Sequence, residues 1–548
     1  MSKRRRIVII GLDGGTFNII DPLLKRAALP FIGGLITEGA KGVLKSTVPP
    51  VTASAWVSFM TGKNPGNHGL FDFQKLDPTS GEKTLTLSTD CKSPTLWDYL
   101  TEAGKRVVLV NVPMTYPPKA LNGIMICGFP VSGNVNFVYP PEKYNHIRSR
   151  GYITDWTEMS RNKTAIFVTK LKIMKEVERR RLKVFLSLLK EYPWDVAMVV
   201  ISGTDHVSHR EWQKGNRKAV EEYYKYIDSL LFDMVRDSIF KGCSFIVMSD
   251  HGFTSTKKVF YMNAWLHKQG YFKYLKGVNS SYDEFMKSKR RQHNKFKKLI
   301  TILARIGFTR DNLKYVAKKT GAIKLERFIP ESMLDFFPSH DIVPIWEETT
   351  AYMTSNSAKG VNINLLGRGK GGIVPASRYK EVRRKIVEEL RNLKDDDGEL
   401  IFSFVDVREK VYKGPFLGLA QDIVGWPSNN YNIRIDPGRR HYIECVTDAR
   451  HDIDGIFIFK GEGVKRSYHE TLSLSLEDIA PTVLHYLGLA YPSDMDGKVI
   501  TGLFEENNKF SDRKIKTIEP IKLQKKVEKE KDEILEEISK KLKWLGYL

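Results

Sequence analysis

Seven residues able to hold divalent metal ions and do chemistry on them are scattered along the chain: Asp13, Thr52, Asp205, His209, Asp250, His251 and His451. Most sit in short segments flanking apolar runs. In Gly11-Leu12-Asp13-Gly14-Gly15 a carboxylate follows a hydrophobic stretch, and the glycines leave backbone room around it. In Thr204-Asp205-His206-Val207-Ser208-His209 the first aspartate and last histidine stand four residues apart, so a helical turn puts both on one face and directs His206 elsewhere. Ser249-Asp250-His251-Gly252 pairs an acid with an imidazole, and Asp448-Ala449-Arg450-His451 precedes another apolar run. Carboxylate and imidazole together suit zinc and similar ions. Three aspartates, three histidines and a threonine suffice for two ions, which in two-metal centres lie ~3.5–4 Å apart.

Thr52 has two readings. It lies in Pro49-Pro50-Val51-Thr52-Ala53-Ser54-Ala55-Trp56, and Ala53 to Met60 has the pattern of a helix. Thr52 is then an N-cap, a role worth ~1 kcal/mol. The same geometry also sets a hydroxyl among exposed amides at the positive end of a helix, where a phosphoryl group would bind. A threonine hydroxyl is a weak nucleophile, and metal coordination is a natural way to activate it.

The elements that must position these groups follow from periodicity. Short runs rich in Val and Ile (Ile7 to Ile10, Val107 to Val110, Ile124 to Cys127, Val196 to Ile201, Phe245 to Met248, Ile456 to Phe459) predict buried strands of a parallel sheet. Helical patterns fall between them, at Leu96 to Ala103, Lys170 to Lys190, Lys218 to Arg236 and Leu476 to Leu487. Strands alternating with helices predict an α/β fold with ligands at the carboxyl ends of the strands. Residues 276–340 break this rhythm with basic clusters and are expected to form a helical insertion, a cap. Residues 506–548 are expected to form a charged tail ending in an amphipathic helix that packs back onto the body. Residues 1–275 and 341–505 are then the two parts of the catalytic core.

At 548 residues the chain exceeds the ~250–300 that one core usually serves. Its net charge of +23 favours small anionic substrates; nucleic acid or an acidic lipid surface is a less favoured partner. No apolar run approaches the ~20 residues of a membrane helix. The four cysteines (Cys91, Cys127, Cys243, Cys445) form no CxxC pair, which argues against a disulfide framework and makes the cytoplasm the expected compartment. Nothing in the sequence specifies an oligomeric state.

The order of the segments resembles the alkaline phosphatase superfamily, in its type I phosphodiesterase and nucleotide pyrophosphatase branch. Thr52, Thr61-Gly62 and His68-Gly69 match the nucleophile region, Asp205 and His209 the Asp-x-x-x-His motif, Asp250-His251-Gly252 the Asp-His-Gly motif, and His451 the late histidine. The resemblance implies a layered α/β/α core with a mostly parallel sheet. It also implies one ion on Asp205, His209 and His451, and a second on Asp13, Thr52, Asp250 and His251. The ions implied are zinc first, manganese second. Leu476 to Thr482, with Leu487-Gly488 and Asp494-Met495-Asp496-Gly497, resembles the family's closing helix and loop, which is structural.

Two departures separate the chain from nucleotide pyrophosphatases proper. Ser54 stands where they usually carry proline, and Phe73 where they usually carry the asparagine that contacts the phosphoryl group. The chain's positive charge, or a polar group such as Asn111, is the candidate to supply that contact instead, with Phe73 beside the substrate. A sulfatase motif is absent around Thr52, and the threonine disfavours the serine-dependent phosphoglycerate mutases. The expected activity is metal-dependent hydrolysis of phosphodiester or pyrophosphate bonds. The alternatives are a phosphomonoesterase, phosphonate hydrolase or phospho-headgroup transferase on the same centre, or a degenerate, non-catalytic anion-binding protein.

Overall fold

The computed structural model describes residues 5–76, 83–133, 135–159, 167–278, 340–369, 371–468, 473–522 and 532–545. In chain order the strands that frame the site are β1 (Ile7–Leu12), β2 (Ala40–Lys45), β3 (Val107–Val112), β4 (Gly123–Cys127), β5 (Val138–Tyr139), β6 (Val196–Ile201), β7 (Ser244–Met248), β8 (Gly252–Tyr261), β9 (Tyr431–Arg434), β10 (Ile443–Asp452), β11 (Asp454–Lys460) and β12 (Ser473–Ser475). The helices are α1 (Thr52–Thr61), α2 (Leu96–Glu102), α3 (Phe167–Glu191), α4 (Gly203–Glu211), α5 (Arg217–Val235), α6 (Ala376–Arg391), α7 (Ile479–Tyr486) and α8 (Asp532–Leu545).

Nine strands form the main sheet, in the order β12-β2-β11-β7-β1-β6-β3-β4-β5. Its centre is parallel, with β1 between β6 and β7 so that Gly11 faces Val200 on one side and Met248 on the other. Ile7, Val8, Ile9 and Ile10 are wholly buried, as a strand covered on both faces requires. Burial of each such side chain contributes about 1.5–3 kcal/mol. All six expected strands are present in this sheet, but Ile456 to Phe459 lies within β11, which runs antiparallel to both β7 and β2. The reason is topological. β10 lies antiparallel to β8, which follows β7, and the chain runs on from β10 through Ile453 into β11 with no crossover helix to reverse its direction.

The helices pack on the sheet through the stripes their periodicity encodes. In α5, Val220, Tyr223, Tyr224, Ile227, Leu231 and Met234 recur at helical spacing and are buried. The expected Leu476 to Leu487 helix opens as a 3-10 turn over Leu476–Asp478 and continues as α7. Every residue of α1 is buried. It approaches the sheet so closely that a Cβ on Gly11 would stand 2.5 Å from the indole ring of Trp56.

A second, smaller core stands beyond β8, which continues from the main sheet into a three-stranded sheet of order β9-β8-β10. Phe260, Trp265, Ile363, Phe402 and Tyr431 pack there with Ile386 and Leu390 of α6. Much of the chain from Ala351 to Ile433, within the stretch expected to be the second part of the catalytic core, builds this second core. Residues 276–340 are entered and left through an antiparallel ribbon of Tyr274–Val278 and His340–Pro344. The intervening residues 279–339, on which the expected helical cap rests, lie outside the described residues. In the tail, α8 docks on the main body, with Ile538 and Leu542 fully buried in the main core. No helix among the described residues is long and apolar enough to cross a membrane.

Candidate active site

Four chain segments converge where the parallel strands end. Asp13 follows β1, its N–H donating to Ile201 O at 3.0 Å as a continuation of the β1–β6 ladder. Asp205 and His209 lie on α4, which begins just after β6. Asp250 and His251 occupy the short link between β7 and β8. His451 lies within β10, where antiparallel pairing sets Phe253 opposite His451 and so brings the late histidine beside His251. The two imidazoles stack, with ring centroids 3.6 Å apart and planes 15° from parallel.

The donor atoms face one another. Thr52 Oγ1 is 3.1 Å from His251 Nε2. His251 Nε2 is 3.3 Å from Asp250 Oδ2 and 3.7 Å from Asp13 Oδ1. Asp205 Oδ1 is 3.4 Å from Nε2 of both His209 and His451, and those two nitrogens are 2.7 Å apart. Asp13, Asp250 and His251 thus form one cluster with ligand geometry, and Asp205, His251 and His451 another that borders His209. The expected residues are brought together, with His251 standing between the two groups.

Backbone carbonyls set the orientation of two imidazoles. His251 Nδ1 is 2.9 Å from Gly252 O, and His451 Nδ1 is 2.9 Å from Pro50 O. An Nδ1–H donating to a carbonyl leaves the Nε2 lone pair aimed into the site. Gly14 matters for a different reason. Its φ is +64°, and a Cβ there would stand 3.1 Å from Asp205 Oδ1; its N–H donates to Asp250 Oδ1 at 3.2 Å.

Three buried carboxylates so close together repel one another. Burial, then Asp250 and Asp205, pushes the Asp13 carboxyl well above its ordinary range. Burial raises Asp250 likewise. Burial works the same way on Asp205, but the imidazoles of His209, His451 and His251 outweigh it and hold that carboxyl low. Burial pulls His209 down to about 4 and His251 well below its usual range. Asp13 Oδ1 and Asp250 Oδ2 are buried and accept no hydrogen bond from the described residues. Imidazoles, clustered carboxylates and unsatisfied inward oxygens are a donor set that divalent cations fit.

Several neighbours hold the centre in place. Trp56 Nε1 donates to Asp13 Oδ2 at 3.4 Å, and Thr204 Oγ1 to Asp13 O at 2.6 Å. His68 is fully buried, with Ser58 Oγ 3.0 Å from its Nε2, and it ties the back of α1 to the following loop. Asp496, in the expected closing loop, accepts from Asn64 and Asn67.

Three positions differ from expectation. Thr52 is the first helical residue, with Val51 in the cap position, so its hydroxyl does not cap the helix. A cavity of about 330 Å³ opens against His209 and His451, and neither Phe73 nor Asn111 lines it. Phe73 packs edge-on against Phe129 at 5.4 Å, and the Asn111 amide donates to Val200 O and Ser202 Oγ. Sequence reading also missed that cavity's wall, to which Arg210, Lys359, Arg434 and Arg450 contribute. Arg210 and Arg450 adjoin His209 and His451 in the sequence and could have been noticed; Lys359 and Arg434 carry no local signal.

The fold has known counterparts. It is similar to phosphonoacetate hydrolase from Sinorhizobium meliloti 1021 in complex with phosphonoformate, with a TM-score of 0.52 and 14% identity over 87% of this chain and 94% of that one. It is also similar to murine ectonucleotide pyrophosphatase / phosphodiesterase 5, with a TM-score of 0.50 and 11% identity over 91% of this chain and 100% of that one. At these identities the likeness is one of fold. No curated protein matches the sequence significantly. The sequence does match the profile of type I phosphodiesterases / nucleotide pyrophosphatases over residues 7–440. The chain therefore belongs to the type I phosphodiesterase / nucleotide pyrophosphatase family and is a hydrolase of phosphoester bonds.

Proposed function

We propose that the chain hydrolyses phosphodiester or pyrophosphate bonds with Thr52 as nucleophile and two divalent cations, zinc before manganese. The observation that carries this reading is the position of Thr52 Oγ1, 3.1 Å from His251 Nε2 at the N-terminus of α1, beside two clusters of ligand atoms. Asp205, His209 and His451 would hold one ion, and Asp13, Thr52, Asp250 and His251 the other. When bound, such ions lower the acidity barrier of a hydroxyl, polarise phosphoryl oxygens and offset charge on a leaving oxygen.

The chain's own residues do the rest. His251 sets its Nε2 beside the Thr52 hydroxyl, because its Nδ1 is engaged with Gly252 O, so that both donor atoms would face one ion. The first turn of α1 offers a positive dipole end to the anionic phosphoryl group. Thr52 Oγ1 gives up its proton to solvent and attacks phosphorus in line as the bond to the leaving alcohol or phosphate oxygen breaks; that oxygen takes a proton from solvent. Water then cleaves the phosphothreonine, returning the threonine hydroxyl and releasing the phosphate product.

The test is turnover of bis-p-nitrophenyl phosphate and of nucleotide esters with added zinc or manganese, comparing the native chain with Thr52→Ala. Full activity in the variant would remove Thr52 from the mechanism.

A further inference from the structure

The cavity against His209 and His451 has a wall of unusual charge. Arg210, Lys359, Arg434 and Arg450 all line it, and among the described residues no carboxylate does. These cations come from separate parts of the fold: α4, the loop before Gly360, β9 and β10. Behind the wall, Asp448 takes both nitrogens of the Arg434 fork, at 3.0 and 2.8 Å. Arg450 donates to the backbone carbonyls of Tyr431 and His451, and the carboxylate acting on it is Asp452. Lys359 Nζ has only neutral acceptors, Asn432 Oδ1 at 2.7 Å and Ile433 O at 3.2 Å. Lys359 is also 7% exposed and held at a left-handed φ of +48°, a conformation costly for a residue with a side chain. Its burial, with Arg450 and then Arg434 nearby, pulls its ammonium down to about 7. Among the described residues Lys359 and Arg450 thus donate to neutral acceptors alone, and their positive charge lines the cavity, where an anion from outside would be held. At about 330 Å³ the cavity is several times the ~30 Å³ share of one water, room enough for a charged group.

We infer that the cavity binds a second anionic group of the substrate, so that the preferred ester carries a phosphate or carboxylate on the portion beyond the scissile phosphorus. This inference rests on the hydrolase reading above and narrows it: esters with neutral or cationic substituents are disfavoured, and those with a second oxyanion are selected. The wall shares His451 with one of the ligand clusters and includes the adjoining His209, so one extended ligand would span both sites. Guanidinium and ammonium groups suit phosphate and carboxylate alike, so the shared chemistry is an oxyanion with several acceptors.

The experiment uses the full chain loaded with zinc and three non-hydrolysable ligands matched in length: propylphosphonate, phosphonopropionate and propylene bisphosphonate. Each is measured at one ionic strength, as an inhibitor of bis-p-nitrophenyl phosphate turnover and by calorimetry. The expected result is that at least one ligand with a second anion binds about tenfold more tightly than propylphosphonate, the scale of one hydrogen bond to a charged group. Tighter binding of the carboxylate arm identifies a carboxylated ester, and of the bisphosphonate arm a doubly phosphorylated one. In Lys359→Met and Arg210→Met the gap should narrow to about threefold or less. Equal affinity for all three ligands in the native protein overturns the inference, whether or not either variant folds. A gap that persists in both folded variants also overturns it. Turnover of the test ester without any gap defeats the anion pocket alone, whereas a gap without turnover of any ester defeats the hydrolase reading alone.

Discussion

The Nε2 atoms of His209 and His451 face each other at 2.7 Å, and each lies 3.4 Å from the same oxygen of Asp205. Two imidazole nitrogens and a carboxylate converging on one point form a cradle for a cation. Binding to the folded chain alone adds about 2.7 kcal/mol of stability at a hundredfold excess of ion over Kd. Chelation should therefore lower the unfolding temperature by several degrees and abolish turnover, and added zinc should restore both. Calorimetry before and after chelation checks this; an unchanged transition would argue against a resident ion.

Thr52→Ala should reduce turnover by at least about 10³, the order seen when a nucleophile acting as part of a unit is removed. Its cost in stability should stay near 1 kcal/mol, because the hydroxyl makes one buried contact and caps no helix. Thr52→Ser, which keeps a hydroxyl, should retain measurable activity. Steady-state kinetics beside urea denaturation separates the two effects.

Gly14→Ala tests the geometry of the centre from outside its ligand set. The new Cβ would stand 3.1 Å from Asp205 Oδ1 and 3.3 Å from its Cα, at a φ of +64°. The left-handed conformation alone costs about 1–2 kcal/mol with a Cβ, and relief of the contact moves Asp205. Both stability and zinc content should fall. A variant that binds zinc as the native chain does would show that Asp205 can yield without consequence.

Lys359 should give the protein a specific pH dependence. Its ammonium sits at about 7 in the folded chain against an ordinary 10.5. Between those values the unfolded chain binds more protons, so stability rises with pH across the window, by up to about 1.4 kcal/mol per unit. Below about 7 both states are protonated and the cost of a buried charge is fully present. The native chain should therefore gain on Lys359→Met as pH is raised from about 7 to about 9, as read from urea midpoints. A constant difference would mean that Lys359 titrates normally.

Leu542→Ala should destabilise the whole molecule by about 2–5 kcal/mol, as loss of a fully buried leucine does. The helix also carries Lys541, which pairs with Asp155 and donates to Val131 O. A single cooperative transition at lower temperature is expected. A separate early transition would instead show α8 to be an independent appendage.

The apolar runs Ile7 to Ile10, Val196 to Ile201 and Phe245 to Met248 were legible as strands because both faces of a central parallel strand are buried and so read as continuous hydrophobics. Asp13, Asp205, Asp250 and His251 were legible because carboxyl ends of such strands are where a layered α/β fold gathers its ligands. Their number, residue types and order along the chain established a hydrolytic metal centre as the expectation. Only the tertiary structure decided the rest. The reversed direction of β11, the placement of His451 opposite Phe253, and the second core after β8 depend on pairings between distant segments, which local periodicity does not encode. The same holds for the cationic cavity. Arg210, Lys359, Arg434 and Arg450 are unremarkable where they stand in the chain, and their shared wall exists only because packing brings four separate segments to one side of two histidines.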